Sequence, residues 1–226
     1  MELSPRVLVA AAMLAFASWS DLRTRRVRNL QWYPYVAAAA AFLAADLPQG
    51  SRLLRPLALA CAVALLVYLL YRAHLFGGAD AKGLMVLAFL LPHPGAGDLG
   101  LPPALTVLLN ASLAALAVPL AFAAWNLTRG QLRLPAMLLG VRVRLETARQ
   151  SHVWPMQVVR DDGRIAWRYW QRIGADLDEA YGRLERAGAS RVWVTPKVPF
   201  MVPLLVGLLL HATVGNVVAA ILPRLL

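Results

Sequence analysis

Apolar residues dominate this chain in long blocks, and polar residues mark the breaks. The apolar runs cover residues 5–19, 30–47, 53–71, 80–91, 103–125 and 198–222, and a single long polar stretch, 127–197, precedes the last of them. Most runs approach the length a helix needs to cross roughly 30 Å of hydrocarbon. The pattern predicts an α-helical integral membrane protein with six transmembrane helices and a small soluble α+β domain between helices five and six. The matching division is 1–126 for helices one to five, 127–197 for the soluble domain and 198–226 for helix six. The run at 80–91 is short, covering roughly 18 Å as a helix at about 1.5 Å per residue. Its start is therefore expected in a recess lined by protein or water, where non-helical backbone is tolerated at membrane depth.

Within the polar stretch, residues 152–159 read as a strand and Asp161-Asp162-Gly163 as a hairpin turn. Residues 165–170 read as the return strand, with Ile165, Trp167 and Tyr169 on one face. Leu177, Tyr181 and Leu184 recur at helical spacing over 176–187, and Gly188 is placed to close that helix. Residues 191–195 read as a last strand, and 134–145 as an amphipathic helix on the membrane surface. Trp154, Trp167, Trp170 and Trp193 read as the core of this domain, and Trp19, Trp32 and Tyr33 as interfacial aromatics.

Composition sharpens this picture. The 226 residues are 59% hydrophobic with a mean hydropathy of +0.57, too apolar for a soluble domain of this size. The net charge of +11 would suggest nucleic acid in a soluble protein, but in a membrane protein Lys and Arg first set orientation. Arg23, Arg25, Arg26 and Arg28 follow the first run, Arg72 closes the third, and the polar stretch is rich in Arg. The other side keeps Arg6, Arg52, Arg55 and Arg224. This bias puts the Arg23–Arg28 loop, the turn at Gly77-Gly78 and the soluble domain in the cytoplasm, with both termini outside. The first run reads as a retained span of a multi-pass cell-membrane protein.

Anionic lipid is the expected contact of the Arg23–Arg28 cluster. The basic residues of the polar stretch alternate with acids and form no stripe, so no nucleic-acid partner is expected. The lone Cys61 excludes an internal disulfide, and no C-x-x-C, H-E-x-x-H or G-x-S-x-G occurs. The four His, at 74, 93, 152 and 211, are scattered, and neither a metal nor a cofactor is expected.

The candidate chemistry emerges by elimination among the acids. Outside the polar stretch the acids are Glu2, Asp21, Asp46, Asp80 and Asp98. Glu2 is terminal, Asp46 lies at the outer end of the second run, and Asp98 is in a Pro/Gly-rich loop. Asp21 ends the first run and Asp80 opens the fourth, on the same side. An acid at such depth is costly and reads as functional. Two carboxyl groups held together share a proton, so that one activates a water while the other polarises a carbonyl and serves the leaving amine. The competing readings are Asp80 as a helix N-cap and Asp21 as an ion partner of Arg25 or Arg28. As functional alternatives, Asp21 and Asp80 could be relay groups of a small proton-coupled transporter, or the basic domain could be a tethered binding module.

Two stretches carry a resemblance. Phe76-Gly77-Gly78-Ala79-Asp80-Ala81-Lys82 resembles the G-x-G-D signature of membrane aspartyl proteases of the type IV prepilin peptidase group, archaeal preflagellin peptidases in particular. Asp21-Leu22-Arg23-Thr24-Arg25-Arg26-Val27-Arg28-Asn29 resembles the first-aspartate segment of that group, and Thr195-Pro196-Lys197-Val198-Pro199-Phe200 the entry to its last helix. Ala79 stands where the strict signature has Gly, and Arg28 where many relatives have Pro.

The resemblance implies an aspartic endopeptidase that removes the basic leader of preflagellin- or prepilin-like precursors at the cytoplasmic membrane face. Asp21 and Asp80 match the catalytic pair. Gly77 and Gly78 match the signature's turn and are expected substrate-binding positions. Lys82, two residues past Asp80, is a further substrate-binding candidate that could instead tune the acid or snorkel to the cytoplasmic interface. The acids Asp176, Asp178, Glu179 and Glu185 form a candidate docking patch for a basic leader.

Overall fold

A computed structural model describes residues 4–24, 26–95, 100–151, 153–169, 176–196 and 199–221. Arg25, Asp98, His152, Trp170, Lys197 and Arg224 lie outside the described residues. The chain divides into two compact units, Met1–Ala115 with Pro199–Leu226, and Leu116–Val198.

The first unit is helical. It contains α1 (Pro5–Thr24), α2 (Tyr33–Asp46), α3 (Leu54–Arg72), α4 (Gly78–Leu90) and α5 (Pro103–Ala115). Short 3-10 segments at Asn29–Trp32 and Leu47–Leu53 precede α2 and α3. Inside the second of these the chain kinks at Gly50, whose φ of +60° belongs to the left-handed region that suits glycine.

Among the described residues, three helical stretches are long and apolar enough to cross a membrane: Pro5–Thr24, Asn29–Arg72 across that kink, and Pro103–Thr128. The fourth apolar run forms a helix as short as expected, Gly78–Leu90, and the sixth forms a shorter one than its run suggested, Met201–Val214. The protein is thus mostly helical with three candidate spans, and these lengths do not establish six.

Helix α4 lies at the centre of this unit. Ala81, Gly83, Leu84, Val86, Leu87, Ala88 and Leu90 are all buried, so it is covered on nearly every side, as expected for a helix apolar all round. Helices α1, α2, α3 and α5 each pack on it. Met13 and Leu14 of α1 and Val63 and Val67 of α3 join Leu84 and Leu87 in one core. Trp32 is in the same core at 4% exposure, with its ring against Gly83, so it is not the interfacial aromatic the sequence suggested.

The second unit opens with α6 (Ala117–Thr128), followed by α7 (Ala136–Leu139), β1 (Val141–Arg144), α8 (Leu145–Arg149), β2 (Val153–Pro155), β3 (Gln157–Val159), β4 (Ile165–Trp167), α9 (Leu177–Arg186) and β5 (Arg191–Pro196). Strands β1, β5 and β2 form an antiparallel sheet in the order β1-β5-β2, with Arg142 opposite Trp193 and Trp154 opposite Thr195. Strands β3 and β4 form the predicted hairpin, turning at Gly163 with φ +76°.

The strand expected at 152–159 is broken at Met156 into β2 and β3. The amphipathic helix expected at 134–145 is instead one turn of helix and strand β1, because β5 supplies Val141–Arg144 with a backbone partner. Helix α9 starts as its sequence suggests: the Asp176 carboxylate accepts from the Asp178 and Glu179 amides at 2.9 and 3.2 Å. Trp193 is buried, whereas Trp154 and Trp167 are half-buried.

The two remaining helices, α10 (Met201–Val214) and α11 (Val217–Ile221), return to the first unit. Helix α10 packs on α5 at Gly207, where an added Cβ would run into the Val107 carbonyl and Ala111. Fully buried Asn110 donates to the Gly215 carbonyl at 2.9 Å and accepts from the Val217 amide at 3.1 Å. Small residues and a buried amide are the usual means of joining helices where surrounding lipid is as apolar as the helix surface.

Candidate active site

Asp21 sits in the last turn of α1 and Asp80 in the first turn of α4, both half-buried. The two carboxyl groups are close enough to interact electrostatically. The end of α1 is shaped by its own hydroxyls: Ser20 and Thr24 reach the Arg26 carbonyl at 3.0 and 2.8 Å, turning the chain back beyond Asp21. The Arg23 guanidinium lies 4.9 Å over the Trp19 ring.

The N-cap of α4 is Gly77, in extended conformation, so Asp80 lies within the first turn and does not take the cap position considered for it. This placement also revises the role of the glycines. With φ at −65°, Gly77 needs no glycine-specific backbone. What it provides is space, because a Cβ there would stand 2.7 Å from Asp80 Oδ2. A Cβ on Gly78 would make only an ordinary contact, 3.5 Å from the Tyr71 ring.

One turn of chain later, Lys82 Nζ donates to Asn29 Oδ1 at 2.6 Å, tying α4 to the segment that enters α2. The side chain is therefore engaged by a partner on another element. Asn29, the last residue of the first-aspartate segment, is that partner. The pair borders an apolar recess of about 300 Å³ that includes Trp32, Tyr33 and Met85.

The opposite end of these helices carries a second polar cluster that sequence reasoning missed. Arg6, in the first turn of α1, pairs with Asp46 at 2.6 Å and donates to the Phe42 carbonyl at 2.9 Å and the Leu90 carbonyl at 3.4 Å. Gln49 and His93 also contact the Asp46 carboxylate, at 3.0 and 3.3 Å. The only signal in the sequence was that Asp46 ends an apolar run, and nothing there named Arg6 as its partner.

The acids of the proposed docking patch are already engaged. Glu179 pairs with Arg183 at 2.6 Å, Glu185 and Asp178 face Arg149 at 3.5 and 3.7 Å, and Asp176 caps α9. Arg149 and Arg183 thus offset only part of the charge of these four acids. Among the described residues, no group of three His, Cys, Asp or Glu side chains could hold a metal ion.

The profile of the Type IV leader peptidase family matches residues 8–120, which include both aspartates. The chain belongs to the type IV leader peptidase family. A second profile, Archaeal Peptidase A24 C-terminus Type II, matches residues 132–217 and accounts for most of the remainder. No curated protein matches the chain. Type IV leader peptidases are aspartic-type enzymes that cleave prepilin and preflagellin leader peptides, and the archaeal C-terminal match places this leader peptidase with the preflagellin peptidases. Its apolar helices are those of a membrane protein.

Proposed function

We propose that Asp21 and Asp80 are the catalytic pair of this leader peptidase and act on a single water. One carboxylate takes a proton from the water as it attacks the scissile carbonyl. The other, protonated, donates to the carbonyl oxygen and afterwards passes a proton to the departing amine. Gly77 leaves the Asp80 carboxyl room beside the incoming backbone. Gly78 and Lys82 line the substrate's approach, with Lys82 held towards it by Asn29. The observation that carries this reading is the electrostatic proximity of two half-buried carboxyls from different helices.

We further assign six membrane crossings, with the active site and the 127–197 domain on the cytoplasmic face. The shorter helices α4 and α10 complete the six by being enclosed among the others. Charge supports this orientation: Arg23, Arg26, Arg28 and Arg72 lie at the chain ends nearest Asp21 and Asp80, whereas Arg6 lies at the far end of α1.

The test is cleavage of a tagged preflagellin in membranes containing the full chain. Wild type trims the leader, and Asp21→Asn and Asp80→Asn, inserted at wild-type levels, do not. Full cleavage by either variant would remove that residue from the pair.

A further inference from the structure

The second unit holds a pocket lined by neither of the two aspartates. It has a volume of about 310 Å³ and is lined by Gly130, Gln131, Leu132, Arg133, Arg142, Gln157, Trp167 and Trp193. No acid lines it. The Arg133 guanidinium lies 4.2 Å over the Trp167 ring, and neither Arg133 nor Arg142 has a carboxylate partner among the described residues. The Gln131 side-chain oxygen is buried without a hydrogen-bond partner among the described residues. Two unneutralised guanidinium groups beside indole rings form a site for an oxyanion, because guanidinium donors match phosphate geometry.

The surroundings identify the source of that phosphate. Helix α6 is part of the apolar stretch Pro103–Thr128 and ends two residues before Gly130. Arg129 lies 4.0 Å over the Trp125 ring at that end, and Trp125 is half exposed, an arrangement suited to the membrane–water interface. Leu132 and Leu134 are 67% and 70% exposed, and Leu127 is exposed as well. A soluble phosphate compound would gain nothing from these leucines, whereas a lipid would place its acyl chains against them.

We propose that this pocket binds the phosphate headgroup of an anionic phospholipid. Arg133 and Arg142 hold the phosphate, and Leu132 and Leu134 contact the acyl chains. The bound lipid fastens the second unit to the bilayer surface at the end of α6. The reading is independent of the aspartate assignment.

The test uses the full chain in detergent and native mass spectrometry, titrating dihexanoyl phosphatidylglycerol, dihexanoyl phosphatidylcholine and inorganic phosphate separately. Phosphatidylglycerol is expected to bind tighter than phosphatidylcholine. Arg133→Gln and Arg142→Gln should each weaken phosphatidylglycerol by about fivefold, the effect of one basic residue near an anionic surface. Arg142 is exposed on β1, so its variant remains informative if loss of the Arg133–Trp167 stacking disturbs folding. Leu132→Ser should weaken the lipid without changing phosphate binding. Equal affinity for the two lipids, or phosphatidylglycerol affinity unchanged in both Arg variants, would overturn the site. Phosphate binding as tightly as phosphatidylglycerol, with Leu132→Ser without effect, would overturn the lipid as its source.

Discussion

Gly77 faces the Asp80 carboxyl so closely that a methyl group on it would stand 2.7 Å from Oδ2. The adjacent Gly78 has no such constraint, since a methyl there meets only the edge of Tyr71 at 3.5 Å. Gly77→Ala should therefore displace the Asp80 carboxyl and lower leader cleavage at least tenfold with little change in thermal stability. Gly78→Ala, at the first helical position, should retain activity within about threefold, because Ala favours helix. Cleavage rates and melting temperatures of the two variants in the same detergent provide the comparison, and equal losses would contradict this steric account.

The Lys82–Asn29 hydrogen bond couples α4 to the entry of α2. Lys82→Met removes both the charge and the donor, and we expect KM to rise by about tenfold with a smaller change in kcat, as for a group that holds substrate. Asn29→Ala leaves the ammonium in place but unanchored and should give an intermediate effect. A loss confined to kcat in Lys82→Met would instead place the lysine in the proton chemistry.

At the far end, Arg6 and Asp46 pair with side-chain exposures of 18% and 13%. Removing one partner of a largely buried pair strands the other, so Asp46→Ala should cost about 3 kcal/mol of stability. The double change Arg6→Met with Asp46→Leu should recover most of it. Because this cluster lies at the opposite end of α1 from Asp21, cleavage per folded molecule should be unchanged. Denaturant titration together with a specific-activity assay separates the two effects.

In the second unit, Tyr181 is buried at 2% exposure and donates to the Val153 carbonyl at 3.2 Å. Burial pushes its phenol from the ordinary 10.0 up to about 12. The folded state then holds this proton where the unfolded state has lost it, so stability falls as pH rises from about 10 towards 12. A wild-type minus Tyr181→Phe ultraviolet difference titration should show one phenol ionising near the upper value. The variant should unfold less readily than wild type across that alkaline window.

Much of this architecture was legible because local chemistry specified it. The apolar runs became helices, Asp176 and the i, i+4, i+7 apolar set specified α9, and Gly163 specified a hairpin. Asp21 and Asp80 stood out because acids at such depth are rare. What escaped depends on partners distant in sequence. Arg6 and Asp46 are 40 positions apart, and Asn110 meets its carbonyl partner at a separation of 105. Residues 134–145 have a helix-like apolar pattern, but Val141–Arg144 pairs with a strand that begins at Arg191. Trp32 looked interfacial, but its ring packs in the core against Gly83, a contact made across distant positions.

The packing around α4 holds the two aspartates of the proposed pair in unequal settings. With α1, α2, α3 and α5 against it and Arg6 holding its final carbonyl, α4 is braced on most of its sides. Asp80 is mounted on the anvil of this site. Asp21 rides on a terminal turn steadied by two hydroxyl contacts to Arg26, which makes it the hammer. If the two act as the proposed pair, adjustment to a bound peptide falls to the last turn of α1, and a rigid clip there would silence the enzyme while leaving both carboxylates intact.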